Sequence, residues 1–138
     1  VTGELVEGTA EHLRVILLLL TPEERAVLEQ PPGPWPAFET ALRRWCGLVD
    51  GVPLFFAGIG PGGIVWMVAT PEVRNARRFY LEASRQMCGE MLAMFPRIVA
   101  FEDATHAKPL RWLRWLGFQI GEPFELLGHT VRMVTRST

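Results

Sequence analysis

A chain of 138 residues, 49% apolar and 21% charged, has the make-up of an ordinary folded protein with enough apolar mass for one core. Its net charge of −1 supplies no general attraction to nucleic acid or to an anionic membrane, and no nucleic-acid-binding motif is present. Two cysteines, Cys46 and Cys88, are too few for a disulfide framework or a cysteine-rich zinc site, so buried, reduced thiols are expected.

Taken in chain order, Thr2 to Gly8 reads as a short first strand and Ala10 to Leu20 as a helix with one very apolar face. The run Val15 to Leu20 is far shorter than the ~20 residues that cross a bilayer, and no signal peptide is apparent, so a protein made in a reducing compartment is expected. Thr21-Pro22-Glu23-Glu24 starts a second helix: a threonine cap, proline at the first helical position, and acids where the helix dipole favours them. Pro31-Pro32-Gly33-Pro34 breaks the chain, and Pro36 to Trp45 is read as a third helix, with Cys46 in a loop.

Asp50-Gly51 between Leu48-Val49 and the run Val52 to Ile59 is a hairpin signal, since Asp-Gly suits left-handed turn positions. Gly60-Pro61-Gly62-Gly63 makes the next turn, and Ile64 to Thr70 reads as a strand buried on both faces. Pro71 to Phe95 is predicted to be the longest helix, with Phe79, Ala83, Met87 and Met91 four apart on one face. Arg97 to Phe101 reads as another buried strand. Leu110, Leu113 and Leu116 then recur on one helix face, and Gly117 supplies the positive φ that ends the helix. Phe124 to Leu127, Gly128-His129 and Thr130 to Thr135 form a closing hairpin. Strand, long helix, strand, helix after a β-meander implies an α/β chain with a mixed sheet and helices on both faces.

Helix-closing Gly117-Phe118 and this element order over nearly the whole chain resemble the GNAT acyltransferase fold. That resemblance implies one strongly twisted mixed sheet over residues 1–138. Four stretches narrow it: Val49-Asp50-Gly51-Val52-Pro53, the run Val65 to Pro71, Phe95-Pro96, and Leu110-Arg111-Trp112-Leu113-Arg114-Trp115-Leu116-Gly117-Phe118. With these the chain is similar to a phage family of GNAT-like proteins that includes a small internal virion protein of short-tailed phages. The implied role is a virion-associated structural or assembly protein, made in the host cytoplasm and acting by contact with other virion proteins. A homo-oligomer or several copies per particle fit that role.

The expected chemistry turns on one segment. GNAT enzymes hold the pyrophosphate of acyl-CoA on a glycine-rich loop between the fourth strand and the long helix, where backbone N–H groups and the helix start meet the anion. Here that segment is Pro71-Glu72-Val73-Arg74-Asn75-Ala76-Arg77-Arg78, with no glycine and with Glu72 where an anion should sit. The tyrosine that protonates the leaving thiolate in many relatives aligns with Leu113, and the asparagine before it with His106. These departures imply a scaffold without bound cofactor or catalysis, recruited through Arg111, Trp112, Arg114 and Trp115, residue types that dominate protein interfaces. The alternative is an acetyl-CoA-dependent N-acetyltransferase with an atypical loop. In that case Val68, Ala69, Thr70, Arg74, Arg77 and Arg78 hold the cofactor, and Glu102 or His106 handles protons. His12, His106 and His129 are too scattered for a metal site.

Overall fold

The computed structural model describes residues 2–103 and 108–138. Strand β1 (Gly3–Glu7) leads to helices α1 (Ala10–Leu19), α2 (Pro22–Leu28) and α3 (Trp35–Thr40). Strands β2 (Arg43–Val49), β3 (Val52–Ile59) and β4 (Val65–Ala69) follow, then helix α4 (Arg77–Met94) and strand β5 (Arg97–Asp103). Helix α5 (Lys108–Trp115) and strands β6 (Gln119–Ile120), β7 (Phe124–Leu126) and β8 (His129–Ser137) complete the chain. The fold class is the α/β arrangement expected. No described helix is long and apolar enough to cross a membrane.

The strands form two antiparallel sheets, β1-β2-β3-β4 and β5-β8-β6, with β7 also pairing on β8. One parallel bridge, Ile64 to Val99, links them at the start of β4. Alternation along β2 and β3 sorts side chains to two faces. Cys46 and Phe56 meet Leu13, Ile16 and Leu20 of the α1 segment on one side. Trp45, Phe55, Ala57 and Ile59 meet Ala83, Met87, Cys88 and Met91 of α4 on the other. Leu113, Leu116 and Phe118 join this second cluster with Ile98, Ala100 and Val134. Leu110 lies outside the described side chains.

Local signals held where capping and turn chemistry decide. Thr21 accepts from the Glu24 N–H while the Glu24 carboxylate accepts from the Thr21 N–H, a reciprocal capping box. Thr9 and His12 do the same at α1, which gives His12 a structural task. The Asp50-Gly51 turn carries positive φ at both residues, as a two-residue hairpin requires. The closing hairpin turns one residue earlier than expected, on Leu127-Gly128 in place of Gly128-His129, with positive φ at both, and His129 begins β8. At the end of α5, Phe118 N–H donates to Leu113 C=O and Gly117 N–H to Arg114 C=O, with Gly117 at φ +91°. That is a Schellman closure, and it sends the chain straight into β6.

Four further expectations are corrected. The third helix stops at Thr40, because Arg43 to Val49 form β2; Trp45 and Cys46 are buried in that strand. Two-sided burial belongs to β3, which lies between β2 and β4, whereas β4 ends its sheet and only Val68 within it is buried. Strand β5 alternates, burying Ile98 and Ala100 and exposing Phe101. The long helix starts at Arg77, since Pro71–Ala76 form a 3₁₀ turn and Ala76 leaves helical geometry at φ −130°, ψ 41°.

Replacing Gly117 with alanine strains a left-handed residue and brings a Cβ to 3.3 Å from Arg136 Nε. The expected cost is ~1–2 kcal/mol, read as a lower denaturant midpoint at unchanged slope.

Candidate functional site

β4 and β5 run in the same direction and touch at Ile64 and Val99; among the described residues no further ladder pairing joins them. The turn before β4 sits tight against the start of β5. Gly63 has φ +78°, and a Cβ there would lie 2.6 Å from the Arg97 carbonyl oxygen. Only glycine permits that approach. Past this pinned point the strands separate, and a cavity of about 220 Å³ lies between β3, β4, β5, α4 and α5.

Its wall includes Val65, Trp66 and Met67 of β4, Ala100, Phe101 and Glu102 of β5, and Ser84, Met87, Cys88 and Met91 of α4. Trp112, Leu113 and Leu116 of α5 close it together with Phe118. Glu102 faces the cavity on the same side of β5 as Ala100, opposite Arg132 in the β5–β8 register, whereas Asp103 is exposed. The two adjacent carboxylates thus do not form a dyad, as strand alternation dictates.

Trp112 turns inward: its ring stacks on Tyr80 with centroids 5.5 Å apart and planes 5° from parallel. Its indole N–H is buried without a partner among the described residues, as is the hydroxyl of Thr70 at the end of β4. Tyr80, the chain's single tyrosine, donates its hydroxyl to Met67 Sδ at 3.5 Å. Burial, and then the Glu102 carboxylate, push this phenol above its ordinary range, so it stays protonated. Sequence reasoning missed Tyr80. The sole tyrosine lying beside Phe79, on the predicted core stripe of α4, was the available signal.

Residues expected to act together are partly separated. Arg74 is exposed and its Nε donates to the Pro71 carbonyl at 3.2 Å. Arg77 and Arg78 line an open groove with Leu81, Arg85 and Trp115. Arg85 lies over the Trp115 ring at 3.9 Å, so Trp115 belongs to this groove and Trp112 to the cavity. The tetrad Arg111, Trp112, Arg114, Trp115 is therefore not one surface. Val68 is buried, Ala69 partly so, and Thr70 fully enclosed. His106 lies outside the described residues. No group of three or more His, Cys, Asp or Glu that could hold a metal occurs among the described residues.

The fold as a whole finds counterparts in solved structures. A phosphinothricin acetyltransferase from Sinorhizobium meliloti in complex with AcCoA aligns with TM-score 0.76 at 18% identity, covering 99% of this chain and 89% of that one. An N-acetyltransferase from Staphylococcus aureus aligns with TM-score 0.73 at 13% identity, covering 99% of both chains. The chain has the GNAT acetyltransferase fold. An aminoglycoside acetyltransferase in complex with coenzyme A also shares the GNAT fold, with TM-score 0.70, 8% identity, and coverage of 99% of this chain and 95% of that one. No protein-family model and no curated protein matches the sequence. Neighbours carrying CoA or acetyl-CoA give no support to the expectation of a cofactor-free scaffold.

The two thiols are poor nucleophiles. Burial pushes Cys46 from an ordinary 9.0 up to about 12, and burial raises Cys88 as well, partly offset by the charge and hydrogen bond of Arg136. Folding holds Cys46 protonated while the unfolded chain ionises it near 9.0, so its contribution is intact below pH 9 and is lost as the pH rises toward 12. Urea denaturation should show a midpoint that falls between pH 8.5 and 10.5, with a shallower fall in Cys46→Ala.

Proposed function

We propose that this protein is an acyl-CoA-dependent N-acyltransferase of the GNAT fold with an atypical phosphate segment. The observation that carries the reading is the cavity opened by the divergence of β4 from β5, with Glu102, Trp112 and Met67 on its wall and Tyr80 in contact with both Trp112 and Met67. A thioester donor fits this place chemically. The wall is mostly apolar, which suits the carbon-rich arm of such a donor. Arg74, Arg77 and Arg78 near the uncapped start of α4 would offer side-chain charge to phosphates in place of backbone N–H groups. When bound, the donor supplies an activated acyl carbon.

In the transfer, the acceptor amine's lone pair forms a bond to that carbon, the carbon–sulfur bond breaks, and the amine's proton leaves while the sulfur gains one. Glu102 is the carboxylate placed to take the amine proton. Tyr80 is the protonated hydroxyl beside β4, the role that Leu113, buried in the core, cannot fill. The lone tyrosine thus comes from α4 rather than from α5.

A second reading keeps the fold without the chemistry: a phage virion protein acting by contact. The glycine-free 3₁₀ turn Pro71–Ala76 and the buried Leu113 favour it. Arg111, Arg114 and Trp115 are exposed and would supply the contact, and mass spectrometry of purified particles tests it.

Calorimetry should show CoA binding that weakens at least tenfold in the Arg74→Ala/Arg77→Ala double variant. Tyr80→Phe and Glu102→Gln should each lower kcat by about 10²-fold or more with CoA affinity retained. Absence of CoA binding by the intact protein would leave the contact reading in its place.

A further inference from the structure

The phosphates of a CoA thioester have two arms, and the cavity takes only the one that carries the sulfur. A second space begins at the residues offered to the phosphates. Arg77 and Arg78 line a groove of about 440 Å³ between α4 and the end of α5, completed by Leu81, Glu82, Arg85 and Trp115. Groove and cavity share no lining residue, so they are separate sites.

Helical period builds the groove. Residues 77, 81 and 85 are four apart, and 78 and 82 follow one step round, so all five lie on one side of α4. At 1.5 Å per residue, Arg77 to Arg85 covers about 12 Å along the axis, room for a nucleoside with a phosphate at each end. Arg78 pairs with Glu82 at 3.2 Å, which leaves the positive charge of Arg77 and Arg85 in excess. Arg85 lies over the Trp115 ring at 3.9 Å. The indole steadies the guanidinium, whose N–H groups remain for a ligand because Arg85 is exposed. Half-buried Leu81 and the 44% exposed Trp115 add apolar surface that a base can cover.

We infer that this groove reads the nucleotide end of the donor, with the 3′-phosphate of CoA on Arg85 and the adenine against Leu81 and Trp115. This rests on the acyltransferase reading. An anion tied to the diphosphate on Arg77 and Arg78 reaches Arg85 at high effective concentration, an advantage that an acidic peptide lacks. Arg85 is then a specificity-determining residue, although it lies away from the cavity. A thioester of free CoA carries the 3′-phosphate, whereas one on a protein-borne phosphopantetheine arm does not, so the donor class selected is the free CoA ester. Loss of one charge-assisted phosphate contact weakens binding by about tenfold.

The test is calorimetric titration of the intact protein with CoA and with dephospho-CoA, repeated on Arg85→Ala and Arg85→Glu. Both variants change an exposed side chain, melting curves establish that each is folded, and the wild-type comparison stands on its own if neither is. CoA binding at least fivefold more tightly than dephospho-CoA, with the difference lost in a folded Arg85 variant, is the expected result. A smaller difference in the wild type, or one that persists undiminished in a folded Arg85 variant, overturns the groove assignment and leaves the acyltransferase reading intact. Binding of neither ligand overturns both.

Discussion

One close contact governs this molecule: the turn carrying Gly63 lies against the carbonyl of Arg97, and Ile64 bridges Val99. It joins two antiparallel sheets at the base of two parallel strands and nowhere further along them among the described residues. Since strands twist, a pair fastened at one end diverges unless a ladder holds it. Divergence here costs ladder hydrogen bonds and yields a cleft whose wall is backbone edge on one side and core side chains on the other. A side chain at residue 63 would push the sheets apart at the one strand bridge that joins them among the described residues.

The core is arranged around that split. Strand β3 is buried on both faces, with α1 over Cys46 and Phe56 and α4 over Phe55, Ala57 and Ile59. Helix α5 is held by Leu113 and Leu116 in the same cluster as α4, which places Trp112 against Tyr80 and closes the cavity from above. The aromatic stack therefore does two things at once. It fills the gap between two helices, and it fixes the only phenol of the chain beside β4.

The phosphate segment is where this chain differs from what the fold ordinarily offers. Backbone N–H groups bind anions well because they are pre-ordered, but glycine-free backbone cannot approach a diphosphate as closely. The 3₁₀ turn Pro71–Ala76 uses some of its own donors internally, as Val73 N–H does with the Thr70 carbonyl. Arginine side chains reach further than backbone, at the cost of the freedom they lose on binding. In the proposed reading, charge on arms takes the place of charge on a scaffold, carried by Arg74 in the turn and by Arg77 and Arg78 at the start of α4.

The sequence by itself determined the elements whose signals are local: the Thr21 cap, the Asp50-Gly51 turn and the Gly117 closure. It also yielded the fold class and Glu102 at a strand end, because alternation and helical period are properties of the covalent chain. Only the tertiary structure decided that Arg43 to Cys46 is strand, since pairing with β1 and β3 outweighs a helix-compatible composition. Only it brought Trp112 and Glu102 to one cavity, set Tyr80 against Trp112, and parted Trp112 from Trp115. Those residues lie on three separate elements, and no periodicity along a chain encodes which faces meet when strands are pinned at one end and free at the other.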